Sequence, residues 1–278
     1  MNVGIGLPNT TPGATGELML EWARQADAGP FSSLGVLDRL LYDSFEPMSS
    51  LAAAAAVTRR VRLATMIVIA PLRNTALLAK QAASIDALAG GRLTLGLAVG
   101  ARLDDYAAAD VEHRGRGERF SRQLAELRDH WEADRIGPPP AQSGGPELLV
   151  GGGAGPSFER MARYADGHAH GGGPPRAFAR AAASACAAWG DLGRPGRPRL
   201  WGQAYFALGD DEAGADYLRD YYAFTGPFAE KIAAGNLTSA RAVRDFVRGY
   251  AEEGCDELVL LPTVAKLEQL ERLAEVLA

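Results

Sequence analysis

Cysteine is nearly absent from this 278-residue chain: only Cys186 and Cys255 occur, without CxxC spacing and without a histidine set nearby. That excludes a disulfide framework and a thiolate metal cluster, and both thiols are expected to be buried and inert. Long apolar runs are missing as well. The most apolar stretch, Leu51 to Val57 and then Val61 to Leu72, is interrupted by Arg59, Arg60 and Arg62. It falls short of the ~20 uninterrupted residues that a membrane-spanning helix needs. No lysine-arginine cluster falls on any one predicted element and the formal net charge is -5, so no nucleic-acid partner is expected. The chain opens on Val3-Gly4-Ile5-Gly6-Leu7 with no basic segment leading into an apolar one. The expectation is a cytoplasmic protein without a secretory signal or membrane anchor. Little Lys or Asn beside abundant Ala, Gly, Arg and Pro suits a GC-rich bacterial source. The usual hydrolytic signatures are lacking too: there is no GxSxG elbow, no Cys/His pairing and no recognisable carboxylate pair. Few acid-base players fit a protein in which a cofactor does the difficult chemistry.

What is present is an ordinary globular composition, 47% hydrophobic and 23% charged. Short β-rich runs alternate with amphipathic helical stretches from end to end. Strands are predicted at Val3 to Leu7, Leu34 to Leu37, Leu63 to Ala70, Leu93 to Ala98, Leu148 to Gly151, Gly167 to His170, Leu200 to Leu208 and Glu257 to Leu261. Several are apolar on both parities, as strands buried on both faces must be. Helical periodicity marks Glu17 to Ala28, Pro47 to Thr58, Thr75 to Leu88, Arg119 to Asp134, Ser157 to Ala165, Arg176 to Trp189, Ala213 to Phe224, Ser239 to Glu253 and Leu267 to Leu277. Asn74 is placed to cap the third of these and Gly90-Gly91 to close it, while Thr238 or Ser239 caps a helix that stops at Gly254. About eight βα units predict an α/β fold, a (β/α)8 TIM barrel forming a single domain over residues 1–278. Two irregular stretches interrupt the pattern. Val99 to Glu118 follows a strand's carboxyl end, the active face of such barrels, whereas Gly137 to Gly145 follows a helix and faces the stability end.

Gly151-Gly152-Gly153-Ala154-Gly155 follows a strand and precedes Pro156-Ser157, where a helix begins. The run admits two readings. One is a tight turn needing positive φ; the other is a phosphate grip of exposed amides at a helix N-terminus, with the Ser157 hydroxyl as an extra donor. Gly171-Gly172-Gly173-Pro174-Pro175 follows the next strand, where His168 and His170 share one side. They read as core or pocket-wall histidines, or as a metal pair lacking its remaining ligands. Asp38-Arg39 ends the second strand, either as a ligand contact or as an ion pair at the barrel mouth. Arg102, Asp104, Asp105 and Tyr106 head the long loop and Glu112, His113, Arg114 and Arg116 follow, with solvated charges the default reading. Asp38, Arg39 and Arg102 are the catalytic candidates.

Specific motifs then add a resemblance. Leu63-Ala64-Thr65, Lys80-Gln81-Ala82-Ala83-Ser84-Ile85-Asp86-Ala87-Leu88, Gly90-Gly91-Arg92-Leu93-Thr94-Leu95-Gly96 and Glu118-Arg119-Phe120 run in order across residues 63–131. Tyr164-Ala165-Asp166-Gly167 and Gly254-Cys255-Asp256-Glu257 come later. Together they resemble the bacterial luciferase-like, flavin-dependent and deazaflavin-dependent oxidoreductase superfamily, over nearly the whole chain and most weakly between Pro174 and Thr238.

The resemblance implies a barrel that holds FMN or coenzyme F-420 over the carboxyl ends of its strands. By position, Asp38 would sit beside the ring, Thr65, Met66 and Ile67 would back it, Val99 and Gly100 would line its edge, and Gly151, Gly152 and Gly153 would bind the phosphate. Many members carry a non-prolyl cis peptide on the third strand, for which Met66-Ile67 is the candidate here. Two departures stand out. Asp38-Arg39-Leu40 replaces the histidine that luciferases and several deazaflavin dehydrogenases place after the second strand, and Leu97-Ala98-Val99-Gly100-Ala101 replaces a common glycine-rich pattern. The length of 278 residues suits the compact deazaflavin-linked branch. The implied function is an oxidoreductase, a monooxygenase or a hydride-transfer reductase, acting on a small organic substrate. A separate flavin reductase and a homodimer are among the implied partners. The alternatives are a flavin-binding barrel without turnover and a barrel that holds a phosphorylated metabolite without flavin.

Overall fold

The computed structural model describes residues 1–133 and 136–278. Its strands are β1 (Asn2–Gly6), β2 (Ser33–Val36), β3 (Arg62–Thr65), β4 (Val68–Ile69), β5 (Leu93–Ala98), β6 (Glu147–Gly151), β7 (Gly167–Ala169), β8 (Arg199–Phe206) and β9 (Glu257–Pro262). All pairings are parallel: β1 lies between β2 and β9, and the ring continues through β8, β7 and β6 to β5, which pairs with both β3 and β4. β3 and β4 are thus two halves of one stave, and the nine strands close an eight-stave barrel. The expected (β/α)8 architecture is what the chain adopts.

Helices α1 (Gly16–Ala28), α2 (Pro47–Val57), α3 (Thr75–Leu88), α4 (Leu103–Ala108), α5 (Arg116–Glu132), α6 (Gly155–Tyr164), α7 (Pro175–Asp191), α8 (Asp211–Tyr221), α9 (Phe228–Ala233), α10 (Ala240–Glu252) and α11 (Leu267–Leu277) surround the strands. Their ends follow side-chain chemistry. Asn74 Oδ1 accepts the Leu77 amide at 3.0 Å and starts α3, and Ser239 Oγ accepts the Ala242 amide at 3.2 Å and starts α10. Between strands and helices, Ile5, Leu34, Leu63 and Leu95 pack with Trp22, Leu51 and Phe120 in one apolar layer. A second core fills the lumen with Ala64, Met66, Leu149, Trp201 and Val259, roofed by Tyr205, Tyr217 and Tyr221.

At the amino-terminal end of the barrel the lumen is polar and saturated. Thr94 Oγ1 takes a hydrogen bond from Arg62 at 2.8 Å and gives one to Glu147 at 2.9 Å, while buried Glu257 accepts from Ser33 at 2.6 Å. The Gly137 to Gly145 segment docks at this end too: Gln142 donates its backbone amide and side-chain amide to Asp86 at 2.9 and 2.7 Å.

Several expectations need correction. The third stave is not continuous from Leu63 to Ala70: it breaks at Met66-Ile67 and Ala70 already belongs to a 3-10 turn. Val99 to Glu118 is not irregular throughout, because it contains α4 and the start of α5. The helix expected over Ala213 to Phe224 ends at Tyr221 and continues as a 3-10 turn, and α9 was not foreseen. The expected end of a helix at Asp134 lies outside the described residues. Cys255 is buried as expected, but Cys186 is exposed on α7. Among the described residues, no helix is long and apolar enough to cross a membrane.

Candidate functional site

Above the lumen, at the carboxyl ends of the strands, lies a cleft of about 210 Å³. Met66, Ile67, Ala98, Ala169 and Gln203 form its floor, and Tyr221 at the end of α8, with Tyr222 and Phe224 just after it, form one wall. A second hollow of about 370 Å³ adjoins it, bounded by Arg116, Gly117, Gly153, Pro156 and Arg160. Gly151 and Gly152 line both, so the two are one groove running from the barrel mouth to the start of α6. The Met66-Ile67 peptide on the floor is cis, at the position the resemblance implied.

Asp38, Arg39 and Arg102 all face the cleft. Asp38 is held by the Ile69 amide at 2.9 Å and by Arg73, whose Nη2 lies 3.1 Å from both carboxylate oxygens. Arg73 reaches Glu46 with its other nitrogen at 2.8 Å. Burial raises the Asp38 pKa above the ordinary carboxylate value against the pull of Arg73. An ion pair at the mouth is therefore the structural role of Asp38, with an arginine that the sequence did not single out. Arg39 donates to the backbone carbonyls of Tyr221 at 2.7 Å and Leu41 at 3.2 Å, and its guanidinium lies 4.4 Å from the ring centre of Tyr42 and 4.9 Å from that of Tyr221. Arg102 pairs with Asp104, approaches Asp105 at 3.7 Å and stacks on Phe224 at 4.7 Å.

Asp105 and Tyr106 are not solvated loop residues; both are buried. Asp105 Oδ1 accepts the Leu41 amide at 2.9 Å, which ties the β2–α2 loop to α4, while Tyr106 donates to the Val99 carbonyl. Among the described residues Asp105 Oδ2 has no hydrogen-bond partner, and Arg102 Nε stands 3.7 Å from it.

The remaining expected ring contacts divide. Gly100 lines the cleft at φ +71°, and a Cβ there would stand 2.6 Å from Ile69 Cγ2. Val99 lines the second hollow instead. Thr65 is fully buried beneath the floor, its hydroxyl donating to Gly96 at 2.6 Å, and it does not line the cleft. His170 forms part of the cleft wall, its Nε2 without a hydrogen-bond partner among the described residues, and burial lowers its pKa. His168 is buried against Phe158, its pKa pushed down to about 4 by burial. Among the described residues no cluster of His, Cys, Asp and Glu could hold a metal ion.

The glycine run fits a phosphate. Gly152 has φ +128° and a Cβ there would be 2.9 Å from Ser157 Cβ, while a Cβ on Gly153 would meet nothing within 4 Å, leaving that wall open to a ligand. Pro156 has no N–H and the Ser157 amide donates to the Ala154 carbonyl at 2.9 Å, so what the turn offers a phosphate is the Gly153 to Gly155 backbone and the positive end of the α6 dipole. The Ser157 hydroxyl donates to the Ala154 carbonyl at 2.5 Å, so its proton is engaged within the turn. Arg116 and Arg160 supply the cationic side of the hollow.

Sequence reasoning missed Arg73, Gln203, Arg160 and the tyrosines. One signal was readable: Gln203 is a lone amide side chain within an apolar strand.

A family model described as luciferase-like monooxygenase matches residues 1–257. An uncharacterized protein of Mycobacterium tuberculosis is 32% identical over 189 residues, 55% of this chain and 65% of the relative, so the match spans just under two thirds of that protein. An F420-dependent secondary alcohol dehydrogenase, solved with an F420-acetone adduct, superposes at TM-score 0.80 with 15% identity over 99% of this chain and 97% of its own. The oxygenating constituent of a 3,6-diketocamphane monooxygenase from Pseudomonas putida, a type II Baeyer-Villiger monooxygenase solved with FMN, superposes at 0.72 with 16% identity over 94% and 91%. With the eight-stave barrel and a family-model match over residues 1–257, the chain belongs to the luciferase-like monooxygenase family.

Proposed function

We propose that the chain acts as one barrel domain and is an oxidoreductase, using FMN or coenzyme F-420 on a small organic substrate. The observation that carries this reading is the continuous groove: a cleft over Met66-Ile67 with a mainly apolar floor, joined through Gly151-Gly152 to a glycine and arginine cradle. One end suits a ring and the other a phosphate. When bound, the cofactor supplies hydride transfer or reduced-flavin oxygen chemistry.

The residues around it have separable tasks. Arg116, Arg160, the Gly153 to Gly155 backbone and the positive end of α6 would hold the phosphate, and Gly100 and Gly151 would let the ring lie close to the backbone. The Asp38–Arg73 pair fixes the Ile69 amide and with it the edge of the floor. Tyr221, Tyr222 and Phe224 wall the substrate side and exclude water. With FMN as the cofactor, a separate reductase would supply its reduced form.

The test is a comparative titration of the purified chain with FMN and with F-420, followed by quenching of cofactor fluorescence. One of the two is expected to bind at micromolar concentration or tighter. The double variant Arg116→Ala/Arg160→Ala should weaken that binding by about tenfold or more, since two charge-assisted contacts are removed. If neither cofactor binds at micromolar concentration, the reading is wrong.

A further inference from the structure

One wall of the cleft is backed by a pair of phenols, of which Tyr222 lines the cleft and Tyr205 lies behind it in the lumen core. Tyr205 stands on β8 in the same row as Trp201 and Gln203, and its hydroxyl lies 2.6 Å from that of Tyr222, which borders the cleft. Two hydroxyls bonded to each other share one proton and leave the second free. The Tyr205 hydroxyl sits in the lumen core with Tyr222 as its partner, so its proton is satisfied only by pointing at Tyr222. With Tyr205 as the donor, a Tyr222 lone pair takes the inner bond and the Tyr222 proton is left for the cleft.

The charge around this hydroxyl is uneven. Arg73 is matched by Asp38 and Glu46, and Arg102 by Asp104 and Asp105. Arg39, by contrast, makes no ion pair among the described residues and spends its donors on two backbone carbonyls, leaving Nε without a partner. A guanidinium held among Tyr42 and Tyr221 rings, without a carboxylate, is stabilised by an anion arriving from outside. The neighbouring Tyr42 hydroxyl is already given to exposed Asp220 at 2.7 Å and does not compete for that role.

We propose that Tyr222, oriented by Tyr205 and backed by the charge of Arg39, binds a negatively charged oxygen of the substrate, whose class is therefore a phenol, enol or similar conjugated compound that ionises to an oxyanion. The inference rests on the preceding reading for the position of the cofactor ring, which leaves the Tyr221-Tyr222-Phe224 side to the substrate. Those rings offer flat faces to a planar molecule. Burial holds both Tyr205 and Tyr222 above the ordinary phenol value, so they are donors and not bases at neutral pH. Tyr222 is on this account a catalytic residue that touches substrate, and Tyr205 a positioning residue.

The probe is 4-nitrophenol, whose spectrum reports its ionisation, titrated into the full chain both without cofactor and loaded with FMN. At a pH where the free probe is half ionised, the wild-type protein should hold it wholly as phenolate. Tyr222→Phe should weaken binding about tenfold, the cost of one hydrogen bond to a charged group. It should also return part of the ionisation shift, and Arg39→Met should remove most of that shift. Tyr205→Phe should fall between Tyr222→Phe and wild type. Tyr217→Phe should change nothing, because that hydroxyl, in the same aromatic cluster, is bonded to Thr10 at 2.7 Å away from the cleft. With FMN in place, phenolate stacked on the oxidised ring adds a long-wavelength charge-transfer band. A wild-type protein that leaves the probe spectrum unchanged, or Tyr222→Phe and Arg39→Met proteins that bind it as wild type does, overturn the proposal. Failure to take up FMN or F-420 strikes the cofactor reading alone, since the cofactor-free titration still judges Tyr222 and Arg39.

Discussion

Replacing Arg73 with methionine should destabilise the protein by about 3 kcal/mol at neutral pH, the usual cost of leaving a buried charge without its partner. The Asp38 carboxylate is only 6% exposed and accepts from two groups, the Ile69 amide and Arg73. Methionine keeps the aliphatic stem but leaves the carboxylate with the single amide. The lost bridge to Glu46, 41% exposed, adds less than ~1 kcal/mol. The pH dependence follows from the direction of the Asp38 shift. Burial raises its folded pKa above the unfolded value, so the folded state holds the proton more readily. The stability this lends is full below the unfolded pKa and is lost as pH rises through the folded one. Removing Arg73 raises that folded value further, so the penalty is greatest at neutral pH and shrinks on acidification. Urea unfolding at neutral pH and at the unfolded aspartate value of about 3.9 measures both ends. Asp38→Asn in the Arg73→Met background should recover most of the loss, because the amide oxygen still accepts from Ile69 and no charge remains. A penalty below ~1 kcal/mol, an equal penalty at both pH values, or no recovery in the double variant would refute the assignment of this pair as a buried, mutually dependent brace.

Gly100→Ala places a Cβ 2.6 Å from Ile69 Cγ2 at a φ of +71°, and should cost about 2 kcal/mol while weakening cofactor binding at least tenfold. Thermal melts and fluorescence quenching measure the two effects, and an unchanged affinity would remove Gly100 from the ring site. His168 has a folded pKa of about 4 against an ordinary value near ~6.5. The stability of its neutral form is complete above the unfolded pKa and declines as pH falls through the folded one, by up to about 3 kcal/mol. His168→Leu should flatten the stability profile across that acid window, and parallel profiles for the two proteins would argue against a neutral core histidine.

Barrel staves were legible because parallel strands under helices are apolar on both faces. β5 and α3 were bounded to the residue, since Asn74 caps one end of α3 and Gly90-Gly91 separates it from the strand. The break in the third stave was not visible in composition, because a peptide bond's configuration leaves no mark on side-chain pattern; only the resemblance pointed to Met66-Ile67. α4 escaped because its 6 residues are too short to display a helical period. Asp105 reads as a loop charge in isolation, and its burial depends on the Leu41 amide 64 residues away. Tyr221 and Tyr222 looked like the end of an amphipathic helix, and nothing local reveals that the chain turns there and lays them across the barrel mouth. For Cys186, the usual burial of free thiols gave the wrong side of α7, whose apolar face is carried by Phe178, Ala182, Ala185 and Trp189 instead.

The two ends of the barrel treat polar groups in opposite ways, and this difference is the strongest argument about where function lies. At the amino-terminal end Asp86 receives the Leu93 amide at 3.2 Å and two donors of Gln142, and Asp256 receives Arg197 at 2.6 Å and the Leu200 amide at 2.8 Å. Such groups are saturated by the chain itself, which is what a structural role requires. At the carboxyl end, among the described residues, Arg39 Nε and His170 Nε2 face the cleft buried and without hydrogen-bond partners, Arg116 Nε does so in the adjoining hollow, and Arg102 Nε and Asp105 Oδ2 have only each other at 3.7 Å. Leaving a buried polar group unpaired costs about 1–3 kcal/mol, so a fold that concentrates such groups at one rim loses stability there unless something else completes them. Orphans also occur away from the rim, on Trp22, Trp201 and His168 in the core and at Gln123 Oε1, His130 Nδ1 and Asn236 Oδ1. The rim differs because cations, a carboxylate and an imidazole converge on the same groove that the glycine run and the cis peptide already define. Ligands that bring oxygens and ring nitrogens into that groove complete it, which is why cofactor binding should raise the melting temperature by more than its contact with the apolar floor alone would give.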